Sequence, residues 1–323
     1  MCTAVCEWGK HPILGRTLDL DRSYGEQVVI APRGFSASLI KEGGQRARHA
    51  ILGVAHMHRG RPLFYDALND CGLCMAGLNF PHFTVYHPPK ENKRNVASFE
   101  MIPWVLENCA DLAEARLLLS STNVVPDSIS GDLPATPLHW LVADKRGALA
   151  VESTVRGLEV HENPFGVLTN APDFHAQAMH AAGFLHLVPE GVVDKPLLCS
   201  NGTGAIGLPG DWSSPSRFVR AFFAKTHTVM GDIDPTMRML HVMQTVAQPE
   251  GCTVTEEGKP IRTVYTVCAD LASLCYAWTT YGCSQLQRVC LRDVDLDSSE
   301  LYCYAMETHK GRAHPNGISP QTV

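Results

Sequence analysis

The 323-residue chain is 45% hydrophobic and 19% charged, an ordinary globular balance that excludes wholesale disorder and suffices for one large domain. Lys and Arg number 27 against 33 Asp and Glu, a formal net charge of −6, and the basic residues are scattered apart from the short 90–94 loop; no nucleic-acid partner is expected. No apolar run approaches the roughly 18 residues of a membrane span, and the opening MCTAVCEWGKHP has neither a basic nor an apolar leader region. A soluble, cytoplasmic protein with no membrane partner is expected.

In chain order, short strands punctuated by turns are expected over 3–8, 13–19, 27–31, 49–56 and 72–80, each rich in Val, Ile, Leu or aromatics. From 98 to 119 the period changes: Met101, Val105, Leu106, Leu112, Ala115 and Leu118 space as one or two amphipathic helices broken near Asn108. Strands return over 138–143, 148–155, 158–162 and 166–169, with Asp144-Lys-Arg-Gly147 as a hairpin turn. Helices follow over 174–184, over 215–227, where Pro215 suits an early position, and over 234–248 after an Asp-Pro start. The stretches 261–291 and 301–306 are strand-rich again. Strand blocks alternating with helix blocks, without strict βαβ order, predict an α+β fold of two antiparallel sheets with helices outside. It is read as a single domain over 1–323, with a loose tail from about 312.

Twelve cysteines do not make a disulfide framework in a chain neither small nor visibly secreted, so mostly reduced, buried thiols are expected. Cys71-Gly-Leu-Cys74 is the only CxxC, has no second pair at zinc spacing, and reads as core. The fifteen histidines, His56-Met-His58 among them, show no acidic or Cys partner at metal spacing; neither metal nor cofactor is expected.

The second residue carries the most chemistry. Removal of Met1 would leave Cys2 with both a thiol, of pKa about 8.5, and an α-amine, about 7.7 to 8.0, so that nucleophile and base share one residue. Arg16 could stabilise the thiolate by opposite charge, and the Asp19 carboxylate could hydrogen-bond the α-ammonium and orient it.

Five segments stand out beside Cys2: Gly15-Arg-Thr-Leu-Asp19, Ala76-Gly-Leu-Asn-Phe-Pro81, Leu168-Thr-Asn-Ala-Pro172, the Gly-rich 202–211, and Ser213-Ser-Pro-Ser-Arg-Phe-Val-Arg220. In this order they resemble the motif set of the choloylglycine hydrolase family, the bile salt hydrolases and penicillin V acylases among the N-terminal nucleophile hydrolases. The resemblance runs from Cys2 to the strands near Leu301 and implies a four-layer αββα sandwich. It also implies a thiolate attack on an amide by Cys2, flanked by Arg16 and Asp19, with Asn170 in the oxyanion hole and Arg217 supporting the cluster. Asn79 stands where bile salt hydrolases carry Asn and penicillin V acylases commonly carry Tyr, which tilts the reading to bile salts. Leu18, Phe64, Tyr65, Phe80, Ile129 and Leu133 are expected around a largely apolar acyl pocket. No metal or cofactor is implied, and a bacterial, cytoplasmic homotetramer is typical of the family.

Without the resemblance, Asn79 and Asn170 would read as turn formers beside prolines, and Arg217 and Arg220 as solvated helix surface. The Gly-rich 202–210 lacks the Gly-Lys-Ser/Thr ending of a phosphate loop. The alternatives are a penicillin V acylase or other N-acyl amidase on the same scaffold, and a non-catalytic member that binds acyl ligands.

Overall fold

Strands dominate the computed structural model, which describes residues 1–35, 37, 46–129, 135–191, 201–229 and 231–306 and the backbone of 321–322. The first half contains β1 (Cys2–Glu7), β2 (Ile13–Leu20), β3 (Gln27–Ala31), β4 (Ile51–His58), β5 (Arg61–Asn69), β6 (Cys74–Asn79) and β7 (Arg94–Ala97). Helices α1 (Met101–Asn108) and α2 (Leu112–Ser120) follow, then β8 (Thr122–Val125), β9 (Leu138–Asp144), β10 (Gly147–Thr154), β11 (Gly157–Glu162) and β12 (Val167–Leu168). Next come α3 (Phe174–Ala182), α4 (Ser214–His227) and α5 (Pro235–Gln244). The chain closes with β13 (Thr253–Val254), β14 (Pro260–Asp270), β15 (Cys275–Thr280), β16 (Cys283–Cys290), β17 (Tyr302–Ala305) and β18 (Gln321–Thr322).

Two antiparallel sheets result. The first runs β12-β1-β2-β14-β15-β16 with β13 on β14, the second β11-β10-β9-β6-β5-β4-β3-β17-β18, and β7 and β8 form a separate parallel pair. Helices α4 and α5 pack on β1, β2 and β14, with α3 against α4, while α1 and α2 cover the outer face of the second sheet. The layers are therefore α, β, β, α, as the resemblance implied.

Local chemistry explains the helix starts. Asp111 accepts from the Ala113 and Glu114 amides, both at 2.9 Å, and so caps the break near Asn108 that separates α1 from α2. Pro215 occupies the first turn of α4, where its missing N–H costs nothing. Gly15 lets α5 close onto β2: a Cβ there would stand 2.7 Å from Met239 Sδ and 2.8 Å from Met243 Cγ.

Strand β5 is absent from the sequence expectation because a bulge breaks its alternation. Val54 pairs with Asp66 and Ala55 with Phe64, leaving Tyr65 as the extra residue. The expectation of mostly reduced cysteines holds among the described residues, with one pair as the exception. Cys275 and Cys290 lie directly opposite on β15 and β16 and form a disulfide, whereas the other described cysteines are free. Most of the tail from 312 lies outside the described residues; Gln321–Thr322 pairs with Tyr302–Cys303 as a short edge strand.

Candidate active site

The register of β1, β2 and β14 sorts the key side chains onto two faces of one sheet. Residues directly opposite in an antiparallel pair share a face. Cys2 pairs with Leu18 and Ala4 with Arg16, so Cys2, Arg16 and Leu18 point between the sheets, and Tyr265, opposite Leu18, joins them. Thr3, Thr17 and Asp19 point to the helices. A bulge between Thr263 and Tyr265 turns neighbouring positions of β14 to opposite sides, Thr263 to Asp19 and Tyr265 to Arg16.

On the inter-sheet face Arg16 has no exposed surface. Its Nη2 donates to the Gly77 carbonyl at 3.0 Å and lies 3.6 Å from Cys2 Sγ; its Nη1 donates to Asp66 Oδ2 at 2.7 Å and to the Tyr265 hydroxyl. Burial opposes the guanidinium's charge, but Tyr265, Asp66 and Cys2 outweigh it and hold Arg16 above its ordinary range. The Tyr265 hydroxyl donates to Asp66 Oδ2 at 2.6 Å and the Tyr276 hydroxyl to Oδ1. Both phenols are driven well above their usual range by burial, with Asp66 adding to the shift, and so remain hydrogen-bond donors.

On the helix side a second network holds the backbone end of Cys2. The Cys2 nitrogen, an amide behind Met1, donates to Asn170 Oδ1 at 2.9 Å. Arg217, fully buried on α4, donates from Nη2 to the same oxygen at 2.7 Å and from Nη1 to the Cys2 carbonyl and Thr3 Oγ1, both at 2.6 Å. Burial pulls this guanidinium below its ordinary range, against the charges of Asp19 and Cys2. Asn170 Nδ2 donates to the Asn79 carbonyl at 2.7 Å, which commits one of its two N–H groups. Ser214, at the start of α4, accepts from the Asn170 amide at 2.8 Å and fixes the turn.

Asp19 lies on the helix side of β2. Its carboxylate accepts from Thr263 Oγ1 at 2.6 Å, Gln248 Nε2 at 3.0 Å and Thr17 Oγ1 at 3.4 Å, while its backbone carbonyl accepts the Met1 amine at 2.5 Å. With Met1 in place, the nitrogen of Cys2 is oriented by Asn170 rather than by Asp19.

The expected acyl-pocket residues separate. Leu18 lies directly across from Cys2, and Tyr65 stands with its ring 5.9 Å from the Arg16 guanidinium carbon. Phe64 is a correction: the bulge at Tyr65 leaves it on the opposite face, packed in the core between the second sheet and its helices with Val29, Ala55 and Trp104. Phe80 has no accessible surface, and its ring is stacked on His139 at 4.2 Å and Phe83 at 5.4 Å. Ile129 is half-buried in the loop after β8, and Leu133 lies outside the described residues.

Sequence reasoning missed Asp66, Tyr265, Tyr276, Thr263 and Gln248. The available signal was Asp66 itself, a lone charge within the apolar run Leu63-Phe-Tyr-Asp-Ala-Leu68. A further cluster was also missed. The donor atoms of His49, Asp70 and Cys71 lie within 4.8 Å of one another, although no acidic or Cys partner was expected for any histidine. Arg33 Nη1 donates to Asp70 Oδ2 at 2.6 Å, and a cleft of about 570 Å³ beside Cys71 lies among the turns at the opposite end of the sandwich from Cys2.

Comparison with known proteins follows the same outline. The profile described as "Linear amide C-N hydrolases, choloylglycine hydrolase family" matches residues 2–304. A bile salt hydrolase/transferase of Lactiplantibacillus plantarum is 35% identical over 316 residues, covering 95% of this chain and 98% of that protein. The bile salt hydrolase/transferase of Clostridium perfringens is 32% identical, covering 94% and 96%. A crystal structure of a conjugated bile acid hydrolase variant from Clostridium perfringens superposes with a TM-score of 0.89 at 31% identity, over 98% of this chain and all of that one. A penicillin V acylase from Agrobacterium tumefaciens shares the fold, with a TM-score of 0.78 at 18% identity over 99% and 98%.

Proposed function

Because the chain belongs to the choloylglycine hydrolase family of linear amide C–N hydrolases, we propose that it cleaves the amide bond of glycine- or taurine-conjugated bile acids, with Cys2 as nucleophile after loss of Met1. The observation that carries this reading is the setting of Cys2: its sulfur lies 3.6 Å from a buried guanidinium, and its nitrogen is hydrogen-bonded to Asn170.

In the first half-reaction the thiolate attacks the amide carbonyl carbon, a C–S bond forms and the carbonyl electron pair moves to oxygen. The Asn170 N–H not committed to Asn79 meets that oxyanion. The α-ammonium of Cys2 passes a proton to the amide nitrogen as the C–N bond breaks, and glycine or taurine leaves as the amine. In the second half-reaction the now neutral α-amine takes a proton from water while the oxygen attacks the thioester. Collapse returns the thiolate and releases the free bile acid.

Each charge in this cycle has a holder. Arg16 faces the thiolate, Arg217 fixes Asn170 and the Cys2 carbonyl, and Asp19, held by Thr263 and Gln248, supplies the negative charge on the ammonium side. Asn79 contributes its backbone carbonyl to Asn170, and Leu18 and Tyr65 stand on the Cys2 side of Arg16 as the start of the acyl site. Among the described residues no helix is long and apolar enough to cross a membrane. The same reading takes the working form as a cytoplasmic homotetramer, which light scattering would show at four times the 35.3 kDa chain mass.

The test is release of free glycine or taurine from glycocholate and taurocholate by the purified protein under reducing conditions, with penicillin V in parallel. Turnover of the bile salts is expected. Turnover of penicillin V alone would contradict the substrate assignment and leave the nucleophile in place.

A further inference from the structure

Arg16 is buried between two acceptors, with Asp66 Oδ2 at 2.7 Å on one side and Cys2 Sγ at 3.6 Å on the other. Only one of these keeps a fixed charge through a thioester cycle. The sulfur is anionic before attack and neutral once acylated, and a guanidinium balanced by sulfur alone would then be an unpaired charge in the interior, which is strongly unfavourable. Asp66 has no accessible surface either, and both of its oxygens are engaged: Oδ2 by Arg16 and Tyr265, Oδ1 by Tyr276. These contacts come from three strands, β2, β14 and β15, converging on one carboxylate of β5.

We propose that Asp66, oriented by Tyr265 and Tyr276, is a positioning residue that acts through Arg16: a standing counter-ion that shares the guanidinium's charge with the Cys2 sulfur, so that the site accommodates both the thiolate and the thioester. This deepens the assignment of Cys2 as nucleophile and rests on it. The titratable and charged groups around the pair are Tyr65 and Asp66 from β5, Tyr265 from β14, Tyr276 from β15, Asp19 from β2 and Arg217 from α4. Of these, Asp66 alone is an anion in direct contact with Arg16. Burial keeps the phenols protonated, and Asp19 lies on the opposite face of the sheet.

Two substitutions should move Cys2 in opposite directions. Asp66→Asn keeps the shape but removes the competing anion, so more of the guanidinium's charge falls on the sulfur and the pH of half-maximal Cys2 alkylation falls. Tyr276→Phe removes a donor to Asp66, concentrates the carboxylate's charge on Arg16, and raises that pH. Alkylation by iodoacetamide, read on the Cys2 peptide by mass spectrometry from acid to alkaline pH, measures both without any substrate. Roughly tenfold more Cys2 labelling at a given acid pH is expected for Asp66→Asn, and a severalfold decrease for Tyr276→Phe. In parallel, Asp66→Asn should lower kcat with KM little changed, because an over-stabilised thiolate attacks more slowly. A purely structural anchor would loosen the site in both variants and move both profiles the same way, or neither. Either result overturns the proposal. If Asp66→Asn does not fold, Tyr276→Phe decides alone, an upward shift supporting the proposal and no shift or a downward one refuting it. Failure to label Cys2 in the parent protein would instead remove the nucleophile assignment, and with it this inference, whereas failure on bile salts alone would leave the alkylation result standing.

Discussion

The two ends of the sandwich each hold a cysteine in a polar cluster, and the charge beside the sulfur differs in sign. Cys2, at the start of β1, is buried with its sulfur beside the guanidinium of Arg16. Cys71, in the turn between β5 and β6, is exposed, with its sulfur 3.4 Å from His49 Nδ1 and next to the carboxylate of Asp70. Burial pushes the Cys71 thiol up, and the charge and hydrogen bond of Asp70 push it further. Exposure therefore does not select the nucleophile. On the proposed reading the sign of the neighbouring charge does, because the thiolate is the reactive form.

The sharpest way to break this comparison is to delete each thiol. Cys2→Ala should abolish turnover, on the order of 10⁴-fold or more, while leaving the folded state intact. Cys71→Ala should leave kcat unchanged; equal losses from the two deletions, measured by amine release, would end the distinction. Next in size is Asn170→Ala, which removes an oxyanion donor and should cost about 2.7 to 4 kcal/mol in kcat. A loss confined to KM would place Asn170 in binding instead.

A smaller effect is expected at Asp19. Thr263→Val deletes the 2.6 Å donor to its carboxylate and should cost about 0.5 to 1.5 kcal/mol, read as a severalfold drop in kcat/KM. No change would show that Gln248 and Thr17 suffice to hold the carboxylate. The smallest prediction concerns the far end. Since the anionic Asp70 raises the Cys71 thiol, Asp70→Asn should lower it and quicken Cys71 labelling at neutral pH by a few-fold. Slower labelling would reverse the sign assigned to that cluster.

Much of the candidate site was legible in the sequence because it lies in short motifs on a few elements. Gly15 to Asp19 form one strand, Leu168 to Pro172 one turn, and Ser213 to Arg220 the start of one helix. What those motifs do not carry is the side-chain traffic between layers. Asp66 reaches Arg16 and Tyr276 only because the two sheets stack face to face, and Tyr276 reads in sequence as one aromatic among several in a strand. That Tyr65 and Asp66 share a face, with Phe64 on the other, follows only from the bulge, which breaks the strand's alternation there. Cys275 and Cys290 are fifteen residues apart and meet because β15 and β16 pair in that register. The alternation of strand and helix blocks made the layers readable; the irregularities within strands placed the side chains, and bulges leave little trace in composition or periodicity.

The central claim is that Cys2 carries the acyl group. Its most direct test is rapid acid quenching of the protein during glycocholate turnover, followed by intact-mass analysis and peptide mapping. The account predicts a chain that begins at Cys2, lacks Met1, and bears a cholyl group on the Cys2-containing peptide. Turnover with no adduct there, or with the acyl group on another residue, would contradict it.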